Sequence, residues 1–591
     1  MSQRLFRLKL GVAVVFALLL GRLVQLQVIQ GAELQRASEQ NRIRRVREAA
    51  PRGVITDRAG KVLASNRPSY AVSMLPHPDP AVRREVEETL APLLGMTVTD
   101  LEQRTKAGMS TGDTCLVAED VDRATIARIE EHAPHLPGVS IEVKPVRWYP
   151  YAKLACHVLG YVREVDEADL RRLRSRGYLQ GDRAGKDGIE RLQESRLRGR
   201  EGGRQVEVDA GGRLVRVLGR VEPSPGRPVA LTLDLPTQQA AERGLTGKRG
   251  AVVALDPETG EVLALASSPG FDPNWFTRRL DPAHWRYLNS RARPQHDRAI
   301  NGRYAPGSVF KVVVAAAGLE HGLVTPQSRF TCPGVYRLGR WSFHCWRLQG
   351  HGPLSFIQGI AQSCNVVFMT VGRRVGIARL ADMARRFGLG RQTGIELSGE
   401  SSGLVPDPDW KRERRHQPWY PGDTCQVAIG QGDLLVTPLQ AAVEIAVVAN
   451  GGYRVQPHLV RETGGRAVSV QREAVGLSAE TIAALRTGLE MVVERGTGRS
   501  LEGIGVRVAG KTGTAENPHG KPHAWFIGYA PAEQPRIAVA VLVEGGGHGG
   551  SVSAPIAGEV IKAALRIGKP LGQGLPAPGR ESGQGLPSRP T

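Results

Sequence analysis

Ala251-Val-Val-Ala-Leu255-Asp256-Pro-Glu-Thr-Gly260-Glu-Val262-Leu-Ala-Leu-Ala266 is a pair of short apolar runs around a turn of Asp, Pro, Thr and Gly. Runs this short and this rich in Val and Leu predict strands, and the turn between them predicts a hairpin. Further along, residues 506–510, 524–529 and 537–543 have the same texture and predict three more strands. Between the two groups lie mostly helical patterns, including 309–319 and 438–449, and a last helix is predicted over 556–565. Two strands, a helical insertion, then three strands and a helix predict an α+β domain over 228–568. Its frame is a five-stranded antiparallel sheet carrying a helical subdomain.

A chain of 591 residues is too long for one ordinary core, so a second domain is expected upstream. Residues 31–225 read as a mixed, Arg-rich region. Strands are predicted at 54–57 and 70–74 on either side of the turn signal Asp57-Arg-Ala-Gly60, and helices at 81–94 and 124–132. Residues 198–226, rich in Gly, Arg and Pro, read as a linker ending in Pro223-Ser-Pro-Gly226. Residues 569–591 repeat the segment GQGLP from Gly572 and Gly583 and lack the apolar content that offsets ordering entropy, which predicts a disordered tail.

At the N-terminus, Arg4, Arg7 and Lys9 precede an apolar stretch that reaches Ile29 if Arg22 snorkels to the interface. No small-x-small cleavage signal follows it, so residues 1–30 read as a short cytoplasmic stub and a single transmembrane anchor. The positive-inside rule then places the rest of the chain outside the cytoplasm. The formal charge of +21 suits an anionic surface or polymer, but no zinc-finger, helix-turn-helix or RNA-binding signature accompanies it, and nucleic acid is not an expected partner.

Three short motifs carry chemistry. In Pro306-Gly-Ser308-Val-Phe-Lys311, Pro and Gly open a helix, and positions three apart place Ser308 and Lys311 on one face. A serine hydroxyl is a poor nucleophile at neutral pH, and a Lys that loses its proton through burial or a neighbouring cation can activate it. Ser363-Cys364-Asn365, in a helical region, offers a hydroxyl and an amide. Lys511-Thr512-Gly513-Thr514 is expected at the end of a strand. There Lys511 would bind a substrate carboxylate and lower the pKa of Lys311, Thr512 and Thr514 could bond that carboxylate, and Gly513 would let a substrate backbone approach. Ser-x-x-Lys alone arises by chance, as a helix cap and a solvated Lys; with the other two motifs in this order it describes an acyltransferase site.

The motif set resembles that of the penicillin-binding proteins. Without room for a glycosyltransferase domain before residue 228, the chain is similar to class B, the transpeptidase-only group. Asn41-Arg-Ile-Arg44, Pro51-Arg-Gly-Val-Ile-Thr-Asp-Arg58, Gly185-Lys-Asp-Gly-Ile-Glu190, Arg298-Ala-Ile-Asn301 and Gly430-Gln-Gly432 look like its elongation-type branch. The resemblance implies a penicillin-binding/β-lactamase-like transpeptidase domain above a non-catalytic, partner-binding pedestal, held at the bacterial inner membrane. It implies a peptidoglycan D,D-transpeptidase that cross-links stem peptides through an acyl-serine during elongation and cell-shape maintenance, and that binds penicillin covalently. In family terms Lys311 and Ser363 handle protons, Asn365 and residues 511–514 hold substrate, and the NH groups of Ser308 and Thr514 form the oxyanion hole. Implied partners are stem peptides, β-lactams, a SEDS-class glycan polymerase and other elongation-complex membrane proteins. D,D-carboxypeptidase activity and a division-type role stay open.

Cys332, Cys345 and Cys364 accompany His351, and three thiolates with one imidazole can form a closed tetrahedral zinc site. Some elongation-type relatives are similar in carrying zinc here. A Cys332 to Cys345 disulfide and unlinked core thiols are the alternatives. Cys115, Cys156 and Cys425 lack ligand spacing. His523 and Trp525 follow the third motif toward the cleft, although Trp525 reads equally well as packing. Gly545 to Gly550 reads as a rim loop or a plain connection.

Overall fold

The structure, a computed structural model, describes residues 2–30, 43–77, 79–111, 114–208, 214–278, 280–463, 466–518 and 520–567. The expected tail, and Asn41 and Arg42 of the first family-like motif, lie outside these residues. At the N-terminus a helix over Ser2–Val24 continues as a π-helical turn over Gln25–Ile29, and the segment Lys9–Ile29, with mean hydropathy 2.2, is long and apolar enough to cross a membrane.

The chain divides into two compact units. The first comprises Met1–Gly53, Asn66–Val146 and Arg198–Arg227; the second comprises Val54–Ser65, Arg147–Leu197 and Pro228–Thr591. The simple division near residue 226 expected from the sequence is therefore crossed by two earlier segments that belong with the second unit.

In the first unit, Ile43–Glu48, Gly202–Val208 and Leu214–Val221 form a three-stranded antiparallel sheet. This corrects the linker expected over 198–226. Its glycines and arginines gave it a loop-like composition, but Val206, Val217 and Val221 are strand formers that pairing with a neighbour satisfies. Helices Pro80–Leu93, Val98–Thr111 and Arg123–Glu131 enclose a small core of Val72, Met74, Val86, Leu90, Leu101, Val117 and Ile126. Asp79 and Asp122 start two of these helices by accepting from Ala81 N and Thr125 N.

The second unit is built on β1 (Gly250–Leu255), β2 (Val262–Ser268), β3 (Ala509–Ala515), β4 (His523–Ala530) and β5 (Ile537–Val543). They pair antiparallel in the order β2-β1-β5-β4-β3. Its principal helices are α1 (Leu235–Gly244), α2 (Lys311–Glu320), α3 (Asn365–Val375), α4 (Pro438–Ala449), α5 (Ala479–Glu494) and α6 (Gly549–Leu565).

The strands read as unbroken apolar runs because both faces of the sheet are covered. Val252, Ala254, Phe526, Val539 and Val541 pack against Ala241 of α1 and Val560 and Ile561 of α6. Their alternates Val253, Leu255, Trp525, Ile527 and Leu542 face Val443 of α4 and Leu485 and Leu489 of α5. Every residue of α4 is buried, as expected for a helix that is apolar nearly all round.

Buried polar groups order the segments of this unit that precede β1 in sequence, and one of them reaches α1. The carboxylate of Asp57, 1% exposed, accepts from Ala59 N, Lys61 N and Leu235 N at the start of α1. Glu190, fully buried, receives Arg147 Nε at 2.6 Å and Tyr149 OH at 3.2 Å. The glycines of Gly185-Lys-Asp-Gly-Ile-Glu190 serve this packing. A Cβ on Gly188 would lie 2.5 Å from Gly160 N, and one on Gly185 would lie 2.2 Å from Glu190 O.

Candidate active site

Ser308 lies in a 3-10 turn, Gly307–Phe310, that runs directly into α2. In a 3-10 turn positions three apart eclipse, so Ser308 and Lys311 share a face more closely than in an α-helix. The turn is held by close backbone contacts that only glycine permits. Gly307, at φ +56°, would place a Cβ 2.6 Å from Thr514 O, and its N donates to Gly430 O at 2.8 Å. Gly430, at φ +75°, would place a Cβ 1.9 Å from Gly307 O. The Gly430-Gln-Gly432 segment is thus the floor under the serine turn, a role its sequence did not disclose.

Lys311 begins α2 with its side chain 1% exposed. Its Nζ donates to Ser363 O at 2.7 Å, Ser363 Oγ at 3.3 Å and Asn365 Oδ1 at 2.7 Å, and sits 5.4 Å from the centre of the Phe368 ring. Burial pulls its pKa down to about 8, against a smaller opposing pull from the thiols of Cys364 and Cys345.

Ser363 and Asn365 fall in a tight connection between helix Phe356–Ala361 and α3, and so at helix ends instead of inside one helix. Ser363 takes φ +51°, a left-handed conformation uncommon for a residue with a Cβ and frequent at functional sites. Asn365 opens α3 and its Nδ2 donates to His344 O at 3.2 Å.

Lys511-Thr512-Gly513-Thr514 lies inside β3, which is displaced toward the C-terminus from the strand expected at 506–510. Its continuous register with β4 carries the two weak strand formers, Lys511 opposite Ile527 and Gly513 opposite Trp525. Lys511 is fully buried. Its Nζ donates to Thr512 O at 2.9 Å, and burial, with the nearby charge of Lys311, holds its pKa well below the usual lysine value. Thr512 Oγ1 is hydrogen-bonded to Thr497 Oγ1, a partner that no motif marked.

Packing within the chain gives Gly513 a second reason to be glycine, beside the expected approach of a substrate backbone. A Cβ there would meet Val309 Cγ1 at 3.0 Å, Trp525 Cβ at 2.9 Å and Pro306 O at 3.2 Å, so the position is small because the serine turn packs on it. The strand carrying the third motif and the turn carrying the first are in direct contact at this point.

Trp525 is fully buried, with Nε1 donating to Ala305 O at 3.0 Å, and it packs behind the turn. His523 Nδ1 accepts from Gly545 N at 3.1 Å, and burial lowers its pKa. Arg298, 1% exposed, pairs with Glu544 at 2.8 Å, and Glu544 also receives Tyr304 OH at 2.9 Å and Arg249 at 2.9 Å. The Gly545 to Gly550 stretch is a connection that ends in helix. Gly549 starts α6 and would place a Cβ 2.0 Å from Trp525 O.

The four residues of the cysteine cluster are brought together. The Sγ atoms of Cys332, Cys345 and Cys364 and a ring nitrogen of His351 all lie within 4.8 Å of one another, and none of the cysteines forms a disulfide. Glycines again allow the crossing. A Cβ on Gly334 would lie 2.0 Å from Leu348 O, and one on Gly350 would lie 2.2 Å from Cys332 O. A shared hydrogen bond lowers the pKa of Cys345 and raises that of Cys364. Of the other thiols, Cys156 and Cys425 are buried and Cys115 is half-buried.

A turn bearing Ser308 that leads into Lys311, a Ser363/Asn365 connection on the lysine, and the edge strand bearing Lys511 make up the site geometry of a serine acyltransferase. Residues 250–562 match the penicillin binding protein transpeptidase domain, and residues 47–231 match the penicillin-binding protein dimerisation domain. The chain belongs to the penicillin-binding protein transpeptidases.

Among its relatives is the peptidoglycan D,D-transpeptidase MrdA of Acinetobacter baumannii, 36% identical over 92% of this chain and 85% of that protein. The penicillin-binding protein PBP2 of Helicobacter pylori, solved in complex with MreC, superposes with a TM-score of 0.78 at 29% identity, covering 89% of this chain and 98% of that one. A chain from a peptidoglycan synthase complex that coordinates polymerization and crosslinking superposes with a TM-score of 0.74 at 35% identity, covering 97% of this chain and 100% of that one.

Proposed function

We infer that this chain is a peptidoglycan D,D-transpeptidase of the elongation type that works through an acyl-serine on Ser308 and is acylated there by penicillin. The observation that carries the reading is the desolvated Lys311 amine, three residues beyond Ser308 and held by Ser363 and Asn365. In its neutral form Lys311 Nζ takes the proton of Ser308 Oγ as that oxygen bonds the carbonyl carbon of a terminal D-Ala-D-Ala peptide. The C–N bond then breaks, and the departing D-Ala nitrogen receives a proton through Ser363. Lys511, with Thr512 and Thr514, meets the substrate carboxylate, and backbone NH groups of Ser308 and Thr514 stabilise the oxyanion. An amine from a neighbouring stem peptide completes cross-linking; water in its place gives the carboxypeptidase outcome. Labelling the full chain with a fluorescent penicillin tests this. A covalent adduct is expected on the parent and none on Ser308→Ala, and an adduct that survives the substitution would refute it.

We also assign the cysteine cluster to a structural zinc ion. The donor set, three sulfurs and an imidazole, is one that zinc selects; a tetrahedral site with bonds of about 2.3 Å needs ligand separations of about 3.8 Å, and Cys345 Sγ lies 3.6 Å from His351 Nδ1 with all four donors within 4.8 Å of one another. Nε2 of His351 is buried without a hydrogen-bonding partner among the described residues. Cys364 sits between Ser363 and Asn365, so a metal there would brace the second motif. Metal analysis of protein purified without chelator should find about one zinc per chain; its absence would remove the assignment. The segment over Lys9–Ile29 fits a single-pass anchor with the catalytic unit on the outer side of the bacterial inner membrane. Relatives solved with MreC and in a polymerase assembly support a SEDS-class polymerase and other elongation proteins as partners.

A further inference from the structure

Beside the second motif, an exposed antiparallel hairpin pairs Val335–Leu338 with Trp341–His344. Its base is hydrogen-bonded to the proposed catalytic region, because His344 O accepts from Asn365 Nδ2 at 3.2 Å and, just beyond, Trp346 Nε1 donates to Gln362 O at 3.0 Å. From His344 to the turn at Gly339-Arg340 the strand extends roughly 13 Å, the reach of a few peptide residues.

This projection carries an unusual surface. Trp341 is 62% exposed, Trp346 55% and Leu348 68%, although indoles and leucines are ordinarily covered. Arg337, Arg340 and Arg347 are exposed with them, and none forms an ion pair among the described residues; the Arg340 guanidinium lies 5.3 Å from the Trp341 ring centre. The charge is not balanced nearby in sequence, since residues 321–381 contain no Asp or Glu. The pairing register puts Trp341 on the hairpin face of Leu338 and Phe343, and Arg337 on the face of Ser342 and His344.

We propose that this hairpin and the loop 345–350 dock the second substrate, the amine-bearing glycopeptide strand that attacks the acyl-serine. The inference rests on the transpeptidase reading and extends it. Free carboxylates along a stem peptide complement three guanidinium groups that hold no ion pair among the described residues, and the C–H faces of sugar rings complement exposed indoles, which offer broad contact at low entropic cost. Arg340 lies beside the Trp341 ring while Arg337 is on the other face, so a strand lying across the hairpin meets rings and guanidinium groups together. In the step served, the neutral amine bonds the acyl carbon, the ester bond to Ser308 Oγ breaks, and the amine proton passes by way of Lys311 to that oxygen. Holding the acceptor beside the ester favours this over attack by water.

The test uses the full chain in detergent with a thioester donor and compares two acceptors, free D-alanine and a disaccharide peptide bearing a side-chain amine. For Trp341→Ala and for Arg337→Ala/Arg340→Ala, the ratio of aminolysis to hydrolysis is expected to fall about tenfold with the glycopeptide. With D-alanine that ratio, and the rate of penicillin labelling, should stay within about twofold of the parent. An unchanged ratio with the glycopeptide overturns the proposal, and so does an equal fall with both acceptors or in penicillin labelling, since that marks a merely structural hairpin. Variants normal in vitro that fail to support rod shape in cells would assign the surface to a protein partner and overturn it too. A parent chain that penicillin does not label would remove the transpeptidase reading and this proposal with it.

Discussion

Lys311 Nζ donates to Asn365 Oδ1 across 2.7 Å, joining the helix that follows the nucleophile to the first residue of the helix that follows Ser363. Because the lysine is buried, its pKa is drawn down to about 8. A base acts only when unprotonated, so the rate of penicillin acylation should climb with pH and level off above about 8, with a slope near one on a logarithmic plot. The measurement is the second-order labelling rate from about pH 6 to pH 9.5. A flat profile would mean that Lys311 is not the group that takes the proton. Lys311→Arg, which keeps the charge but does not deprotonate, should lower the rate by about a thousandfold or more.

The serine turn depends on the contact of Gly307 with Gly430. Gly430→Ala would put a methyl group 1.9 Å from Gly307 O at a backbone angle of φ +75°. Neither the strain nor the clash can relax without moving Ser308, so a loss of about 2 kcal/mol or more in stability is expected. Acylation should fall by about a hundredfold even in the folded fraction, because a shift on the order of 1 Å misplaces the nucleophile. Thermal unfolding and labelling kinetics on the same preparation separate the two effects. An alanine variant with parental kinetics would show that the turn is positioned by other contacts.

How much of this was legible in the sequence depends on what fixed each feature. β1, β2, β4 and β5 were readable because both faces of the sheet are buried and the strands are continuous apolar runs. The motif residues were readable because the chemistry needs those side chains in that order. Pairing that depends on distant segments was not readable. Lys511 to Thr514 stays extended because β4 lies beside it, and the strands over Gly202–Val208 and Leu214–Val221 form despite a loop-like composition because a third strand completes their sheet. Gly513 was legible as room for a ligand backbone, but its contact with Val309 and Pro306 was not. A glycine states that something is close, and only the fold says what.

Arg147 and Glu190 form an ion pair with both side chains no more than 2% exposed. Removing one partner leaves the other charge buried, so Glu190→Ala should destabilise the second unit by about 3 kcal/mol, whereas a variant replacing both with apolar groups of similar volume should recover much of the loss. Neither residue belongs to the three catalytic motifs, so penicillin labelling of the folded fraction should keep its parental rate. Denaturant unfolding of the single and double variants measures the coupling. Additive losses would mean that the two residues do not act as a pair.

Glu444 lies in the middle of α4, fully buried, and neither carboxyl oxygen has a hydrogen-bonding partner among the described residues. Burial raises its pKa well above the ordinary value of 4.5, so the folded chain holds it neutral where the unfolded chain would ionise it. The sign follows from proton counting. Above the unfolded carboxyl value, about 4.3, the folded state binds the extra proton, and stability falls as pH rises until the folded group itself ionises. Glu444→Leu should therefore stabilise the protein, with a gain that is small near pH 5 and grows toward pH 8, to on the order of 1–3 kcal/mol. Glu444→Gln removes the titration without removing the polarity, and should flatten the pH dependence with a smaller gain. Unfolding midpoints of the parent and both variants at several pH values decide the matter. A parent whose stability does not fall between about pH 5 and pH 8 relative to Glu444→Gln would show that the carboxyl is not held neutral in the core.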